Sequence, residues 1–175
     1  NEHALEMSIM QLFKEQGYTY ISGDQIHRER TEVLLADDLK QYLYSRYAKD
    51  GITPSEVESI VLMLRNTSGT LYEANKAIYK MLCDGFIFNR EDRTQKDIFI
   101  ELIDFEKPEN NIFKAVNQFE IVGMNNQMRI PDGIVFVNGI PVVVLEFKSA
   151  IKENTTIMDA YTQLTVRYRR DIPEI

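Results

Sequence analysis

The chain has 175 residues, 44% of them hydrophobic and 27% charged, which is enough for one compact core or a core with a small helical annex. No apolar stretch approaches the roughly 20 residues of a membrane span, so we expect no membrane partner. The net charge of −7 argues against a free-standing domain with high affinity for DNA. A single cysteine, Cys83, excludes an internal disulfide and fits a reducing cytoplasm.

Amphipathic helices are predicted throughout the first half of the chain. Apolar residues at helical spacing mark a first helix that stops at Gly17, and a short strand or loop comes next. A second helix is predicted over 31–47. A third begins at Thr53 as N-cap, with Glu56 closing a capping box, and a fourth spans 70–83. The apolar positions of the first helix are Leu5, Ile9, Leu12 and Phe13.

The pattern changes to strands near residue 96. Alternating apolar residues predict a strand over 96–105, with Ile98, Ile100 and Leu102 on one face, and a second strand over 112–122. A hairpin over 132–148 supplies two more strands, and a helix over 156–170 closes the chain. The order predicts an α/β fold with a mixed, largely antiparallel sheet flanked by helices.

The domain organisation follows from this order of elements. We predict a single domain over 1–175, in which 24–95 form a mostly helical insert and 96–175 form the sheet and the closing helix. The chain starts without methionine and ends directly after a helical pattern, so we expect a fragment of a longer polypeptide.

The hairpin carries the residues that indicate chemistry. Pro131 and Asp132 stand just before one apolar strand, and Glu146 and Lys148 stand at the end of the next. Because alternate side chains of a strand share a face, Glu146 and Lys148 point the same way. Two acids and a lysine at one strand end can bind a hard divalent cation and activate water beside it, which is the chemistry of phosphodiester cleavage.

This interpretation makes a geometric demand on the hairpin. The turn signal is Asn138-Gly139, and a two-residue loop there would pair Val137 with Ile140. Asp132 would then face away from Glu146, because one residue of register turns every side chain to the opposite face. The metal site therefore needs a three-residue loop, a β-bulge, or Asp132 in irregular chain after Pro131, and of these we predict an odd-numbered loop or a bulge. The apolar run 142–145 predicts a central strand, buried on both faces.

With these elements placed, the chain resembles the N-terminal nuclease domain of the restriction (R) subunit of type I restriction–modification enzymes. The resemblance covers nearly the whole chain and is most specific from residue 111 onward. It implies a restriction-endonuclease-like PD-(D/E)xK core with a helical insert and a Mg²⁺-dependent site, at which Mn²⁺ is a substitute. The segments that carry it are 111–120, 129–141, 142–148, 160–163 and 170–173, with the opening helix at Glu6 followed by 16–18.

The resemblance also implies roles for individual residues. Asp132 and Glu146 would ligate the metal, and the backbone carbonyl of Phe147 would add a ligand. Lys148 would orient or deprotonate the attacking water and offset charge on the phosphate. Glu6 would face the site from the first helix, as an outer metal ligand or a neighbour of the ligands.

The family also carries a Gln-x-x-x-Tyr motif on the helix after the active strand, which supports the site or touches DNA. Gln163 fits the first position, but the fourth residue on is Arg167, and the tyrosine is Tyr168. On an α-helix, residues five apart do not share a face, so this chain departs from the pattern at Tyr168. Arg167, Arg169 and Arg170 could bind phosphate or form a solvated, charged helix end.

The partners that the resemblance implies are those of a longer polypeptide. The substrate is double-stranded DNA, and the family's remaining polypeptide is an ATP-driven translocase that assembles with methyltransferase and specificity subunits. ATP belongs to that motor alone, since these 175 residues contain no P-loop motif. Two alternatives stay open: a repair or recombination nuclease of the same fold, and a nuclease-like interaction platform that no longer cuts. In the latter, Asp132, Glu146 and Lys148 would form a structural ion pair.

Overall fold

A computed structural model describes residues 2–67, 70–123, 126–148 and 156–171. The chain divides into two compact units, one formed by 1–34 and 113–175 and the other by 35–112. No helix within the described residues is both long and apolar enough to cross a membrane. Residues 172–173, which contribute to the resemblance, lie outside the described residues.

The elements follow the predicted order of a helix, a helical segment, strands and a closing helix, but the second helix begins at Ala36, later than the predicted start at 31. The helices are α1 (Glu2–Glu15), α2 (Ala36–Arg46), α3 (Pro54–Arg65), α4 (Leu71–Asp84), α5 (Ile157–Thr162), a π-helical turn (Gln163–Tyr168) and α6 (Arg169–Asp171). The strands are β1 (Thr19–Ser22), β2 (Phe86–Phe88), β3 (Ile98–Ile100), β4 (Phe113–Asn117), β5 (Ile121–Val122), β6 (Met128–Arg129), β7 (Gly133–Val137) and β8 (Ile140–Leu145).

The first unit is built on a four-stranded sheet with the order β1-β4-β7-β8. β1 runs parallel to β4, whereas the β4–β7 and β7–β8 pairs are antiparallel. An α/β fold with a mixed, largely antiparallel sheet is therefore confirmed. Its core is formed by apolar side chains of β4 and β7, which are almost completely buried.

The position predicted for β8 is wrong. In the sheet that the described residues form, β8 lies at an edge, and Val142 and Val143 are 40% and 45% exposed. An apolar run indicates that both faces of a strand can be buried. It does not show whether further strands pair with both edges of that strand.

The strands predicted over 96–105 and 112–122 also need correction. β3 is shorter than expected and pairs with β2 in a separate two-stranded sheet of the second unit, although Ile98, Ile100 and Leu102 are buried as predicted. The second stretch is interrupted, because Gln118 has a φ of 51° and ends β4 before β5 begins. A left-handed residue breaks the alternation that a continuous strand requires.

Helix α1 presents a different face to the sheet than its apolar residues predict. Leu5 and Leu12 are 42% and 50% exposed, whereas Glu6 and Met10 are buried. Met10 lies directly over Gly133, where an added Cβ would come within 2.5 Å of its Cε atom. This close approach brings α1, and Glu6 one turn before Met10, to the start of β7.

A buried ion pair ties the second unit together. Thr53 and Glu56 form the predicted capping box at the start of α3. Glu56 also accepts two hydrogen bonds of 2.9 Å from the guanidinium of Arg90, which donates at 2.7 Å to the carbonyls of Asp50 and Gly51. Glu56 and Arg90 are 1% and 3% exposed, so each charge depends on the other for compensation.

Replacing Glu56 should destabilise the protein in a pH-dependent way. The hydrogen bonds from Arg90 lower the pKa of Glu56 to about 2. Glu56→Gln should lower the free energy of unfolding at pH 7 by on the order of 3 kcal/mol, because Arg90 stays buried without its anion. This loss should become smaller as the pH falls from 4.5, the ordinary pKa of a glutamate, towards 2. In that range the unfolded wild-type chain takes up a proton at Glu56 that the folded chain does not, so the wild type loses stability and Glu56→Gln does not.

Urea unfolding at several pH values measures this effect. The control is Glu58→Gln on the same helix, because Glu58 is half-exposed and pairs with Lys40 at the surface. That change should cost less than about 1 kcal/mol. Equal losses for the two substitutions, or a loss at Glu56 that is independent of pH, would contradict the prediction.

Candidate active site

The β7–β8 hairpin satisfies the geometric demand by means of a bulge. Its turn is the tight two-residue type, with φ values of 51° at Asn138 and 77° at Gly139, and it pairs Val137 with Ile140. The register then shifts, because Phe136 pairs with Pro141 but Val135 pairs with Val143. The predicted β-bulge is thus confirmed, and Val142 is the extra residue.

The bulge decides which residues meet at the open end of the hairpin. Gly133 pairs with Leu145, so the preceding residue, Asp132, aligns with Glu146. Without the extra residue Gly133 would pair with Val144, and Asp132 would align with Leu145. The structure therefore brings together the two carboxylates that the sequence analysis singled out.

Hydrogen bonds hold these groups in place. Asp132 Oδ2 accepts a bond of 2.5 Å from the backbone N–H of Phe147. Lys148 Nζ donates to Glu146 Oε1, also at 2.5 Å, and the two side chains are 22% and 3% exposed. The carboxylate of Glu146 is thus buried and paired, while the ammonium of Lys148 stays within reach of a molecule in solvent.

Glu6 reaches the same region from α1. Its Oε1 accepts hydrogen bonds from Asn117 Nδ2 at 2.7 Å and Gln118 Nε2 at 3.3 Å. Tyr20 donates to Asn117 Oδ1 at 3.1 Å, which fixes the amide. The sequence analysis did not find these supporting residues. Asn117 lies at the end of β4, and only the strand order shows that this end adjoins the hairpin.

Negative charge dominates the site. Burial raises the pKa of Asp132, and the carboxylates of Glu146 and Glu6 raise it further, whereas the Phe147 N–H and the Lys148 ammonium act in the opposite direction. Among the described residues that act on Asp132, two carboxylates, those of Glu146 and Glu6, are thus opposed by the ammonium of Lys148, and His3 Nδ1 lies 3.6 Å from Glu6 Oε2. An excess of buried negative charge favours a positively charged ligand.

The available donors fit a hard divalent cation that keeps part of its water shell. Within the described residues, no three side chains of His, Cys, Asp or Glu lie close enough to hold a metal by themselves. Mg²⁺ needs fewer, since it is commonly bound by one or two carboxylates and several waters. Asp132, Glu146 and the Phe147 carbonyl supply hard oxygens, and each carboxylate oxygen has a second lone pair beyond its present hydrogen bond.

The closing helix contains a π-helical turn at Gln163–Tyr168. The predicted α-helix is wrong over this turn, where an i→i+5 pattern replaces i→i+4. On an α-helix, residues five apart lie about 140° apart around the axis. The wider turn brings Gln163 and Tyr168 together, and Gln163 Nε2 lies 3.2 Å from the Tyr168 hydroxyl.

Tyr168 connects this helix to the hairpin. Its side chain is 4% exposed, and its hydroxyl donates to Glu146 Oε2 at 3.0 Å, with the Ile130 carbonyl more distant at 3.5 Å. Burial raises the pKa of the phenol, with a further contribution from Glu146, so the hydroxyl keeps its proton and acts as the donor. Arg167 is exposed and takes no part in the hydrogen bonds described around Glu146.

Because the closing helix contains a π-turn, we predict that removing one residue there preserves the thermal stability and that adding one residue lowers it. Deletion of Val166, which is 56% exposed, should leave an α-helix with Gln163 and the tyrosine four residues apart, and should preserve the thermal stability. Insertion of one alanine after Val166 should turn the tyrosine away from its pocket and cost about 3 kcal/mol, as expected for losing a buried aromatic ring.

Thermal unfolding of both variants measures the difference. A deletion as damaging as the insertion would show that the π-turn does not absorb an extra residue. Tyr168→Ala gives the reference for complete loss of the buried ring.

Comparison with known proteins identifies the family of the chain. The family model for the type I restriction enzyme R protein N terminus matches residues 1–175. The chain is 31% identical over 185 residues to the type I restriction enzyme HindI endonuclease subunit of Haemophilus influenzae, covering 100% of this chain and 17% of that protein. It is 32% identical over 184 residues to the putative type I restriction enzyme MjaIXP endonuclease subunit of Methanocaldococcus jannaschii, covering 99% and 17%. The chain thus spans 17% of the length of these relatives and belongs to the family of type I restriction enzyme R protein N termini.

Proposed function

We propose that this chain is a Mg²⁺-dependent endodeoxyribonuclease domain with a PD-(D/E)xK core, which hydrolyses phosphodiester bonds of double-stranded DNA. The observation that carries the proposal is the bulge at Val142, which sets a register that places Asp132 opposite Glu146, and Glu146 is hydrogen-bonded to Lys148. An ion pair that only stabilised the hairpin would need one acid beside Lys148. The additional carboxylates of Asp132 and Glu6 raise the electrostatic cost of the site unless a cation binds there.

Asp132 and Glu146, together with the Phe147 carbonyl, are the residues that would hold the ion. When bound, Mg²⁺ or Mn²⁺ supplies polarisation of a phosphate oxygen and a lowered pKa for a coordinated water. The hydrogen bond from the Phe147 N–H orients the Asp132 carboxylate, and that from Lys148 orients Glu146. Both ligands are therefore positioned before any substrate arrives.

Lys148 supplies positive charge at the reacting phosphate. Its ammonium is held at Glu146 by a hydrogen bond of 2.5 Å yet remains partly exposed. It can therefore donate a hydrogen bond to the attacking water or to a phosphate oxygen, where negative charge develops during hydrolysis. Glu6, held by Asn117 and Gln118, would contact the ion through water as an outer ligand.

Tyr168 acts as a positioning residue for Glu146. Its hydroxyl fixes Oε2 while Lys148 fixes Oε1, so both oxygens of the carboxylate are oriented. The π-turn also brings the Gln163 amide to the Tyr168 hydroxyl, so the departure from the Gln-x-x-x-Tyr spacing does not separate the two side chains.

We place this activity within a larger assembly. The curated relatives are named as endonuclease subunits, and this chain spans 17% of their length. An ATP-driven translocase elsewhere in the polypeptide, with methyltransferase and specificity subunits, would bring DNA to the site in the cytoplasm. Recognition of a DNA sequence would then lie outside this chain.

Substitution of the three central residues tests the proposed function. Asp132→Asn, Glu146→Gln and Lys148→Ala should each lower plasmid cleavage by the restriction holoenzyme at least about 100-fold in Mg²⁺ or Mn²⁺, because each removes charge that acts on the metal or the phosphate. ATP hydrolysis should be unchanged. Asp24→Asn, at an exposed position of the same unit, is the matched control. Wild-type cleavage by all three variants would leave only a structural ion pair.

Removing the Tyr168 hydroxyl should weaken metal binding without removing the site. Tyr168→Phe keeps the ring but frees Glu146 Oε2, so the Mg²⁺ concentration for half-maximal cleavage should rise about 10-fold. Tyr161→Phe on α5, where the ring is 60% exposed, should change nothing. A lower maximal rate with the same Mg²⁺ dependence would show that Tyr168 does not act through the metal ligand.

A further inference from the structure

A cleft of about 360 Å³ lies beside the candidate active site, between β6 and the closing helix. It shares a wall with the site, because Tyr168 lines the cleft and its hydroxyl contacts Glu146 at 3.0 Å. Ile130, two residues before Asp132, also lines it. A linear substrate in the site would therefore extend past this cleft.

The cleft concentrates positive charge in an acidic protein. The whole chain carries a net charge of −7, yet three arginines, Arg129, Arg167 and Arg170, line the cleft. None of the described residues that line it is acidic. Three cations around one concavity attract an anion with several charges, although the carboxylate of Asp159, which interacts with Arg167, offsets part of that attraction.

The arginines also have the right hydrogen-bonding chemistry. Arg129 Nη1 donates to the Met128 carbonyl at 3.1 Å, which uses one of the donors of its guanidinium. A guanidinium has five N–H donors, so it can bind a phosphate while keeping its hydrogen bonds within the protein. Its planar fork fits two phosphate oxygens at once. Gln163 adds an amide at the same cleft.

We propose that Arg129, Arg167 and Arg170 bind the backbone phosphates of the DNA strand that flank the phosphate at Asp132 and Glu146. This inference rests on the proposed function and specifies how that site holds its substrate. Binding to backbone phosphates carries no sequence information, which suits a site whose strand is chosen by other parts of the assembly. Arg169 lies in the closing helix between Arg167 and Arg170 but does not line the cleft. It therefore differs from the three proposed arginines in position and not in charge.

The test is the salt dependence of DNA binding by the full-length restriction subunit, measured by fluorescence anisotropy with a short nonspecific duplex. EDTA prevents cleavage, so the readout does not depend on nuclease activity. Substitution of all three arginines by glutamine should reduce the slope of log affinity against log salt by up to about three, or about one for each phosphate that an arginine neutralises. Arg169→Gln should leave the slope unchanged.

Further variants show whether a change in the slope comes from the charge of the arginines or from a general loss of structure. Arg167→Lys keeps the charge and should retain the slope that Arg167→Gln reduces, and thermal unfolding excludes a general loss of structure. A slope for the triple variant equal to that of Arg169→Gln would overturn the proposed role of the cleft. Asp132→Asn should keep the slope while cleavage is abolished. A changed slope in the triple variant together with normal cleavage by Asp132→Asn would retain the DNA-binding cleft and reject the proposed nuclease site.

Discussion

A single extra residue in β8 determines which side chains share a face at the end of the β7–β8 hairpin. The turn at Asn138-Gly139 is the tight two-residue type, and by itself it would place Asp132 opposite Leu145. The bulge at Val142 corrects the register, and the hydrogen bond from the Phe147 N–H to Asp132 fixes the result. Because strand side chains alternate with a period of two, no gradual adjustment could replace this one-residue change.

The closing helix also contains one extra residue, and it accommodates that residue with a π-turn in place of a bulge. Gln163 and Tyr168 are one residue too far apart to share a face of an α-helix, and the π-turn accommodates that residue and brings the two side chains together. Tyr168 then donates to Oε2 of Glu146, whereas Lys148 donates to Oε1. The hydrogen bond to Oε2 therefore depends on the π-turn, whereas the position of Glu146 relative to Asp132 depends on the bulge.

The sequence predicted the features that depend on local chemistry. The capping box at Thr53 and Glu56 and the need for an irregular hairpin followed from residue types and spacing alone. Positions that depend on tertiary neighbours were not predictable. Leu5 and Leu12 have helical spacing, but α1 instead turns Glu6 and Met10 to the sheet, because Gly133 allows close packing there. Likewise, the π-turn depends on where the pocket for Tyr168 lies, which spacing along one helix cannot show.

The charges around Glu146 pose a problem that the fold resolves by separation. A site rich in carboxylates favours a divalent cation but repels the polyanionic backbone of DNA. The carboxylates of Glu146 and Glu6 act on Asp132, the three arginines line the cleft, and Tyr168 both contacts Glu146 and lines the cleft. Tyr168 is buried and keeps its proton, so it contacts Glu146 without adding charge to the site or the cleft. Under the proposed function, a chain with a net charge of −7 would hold a metal and a phosphate backbone at adjacent positions, because the attraction for each is local.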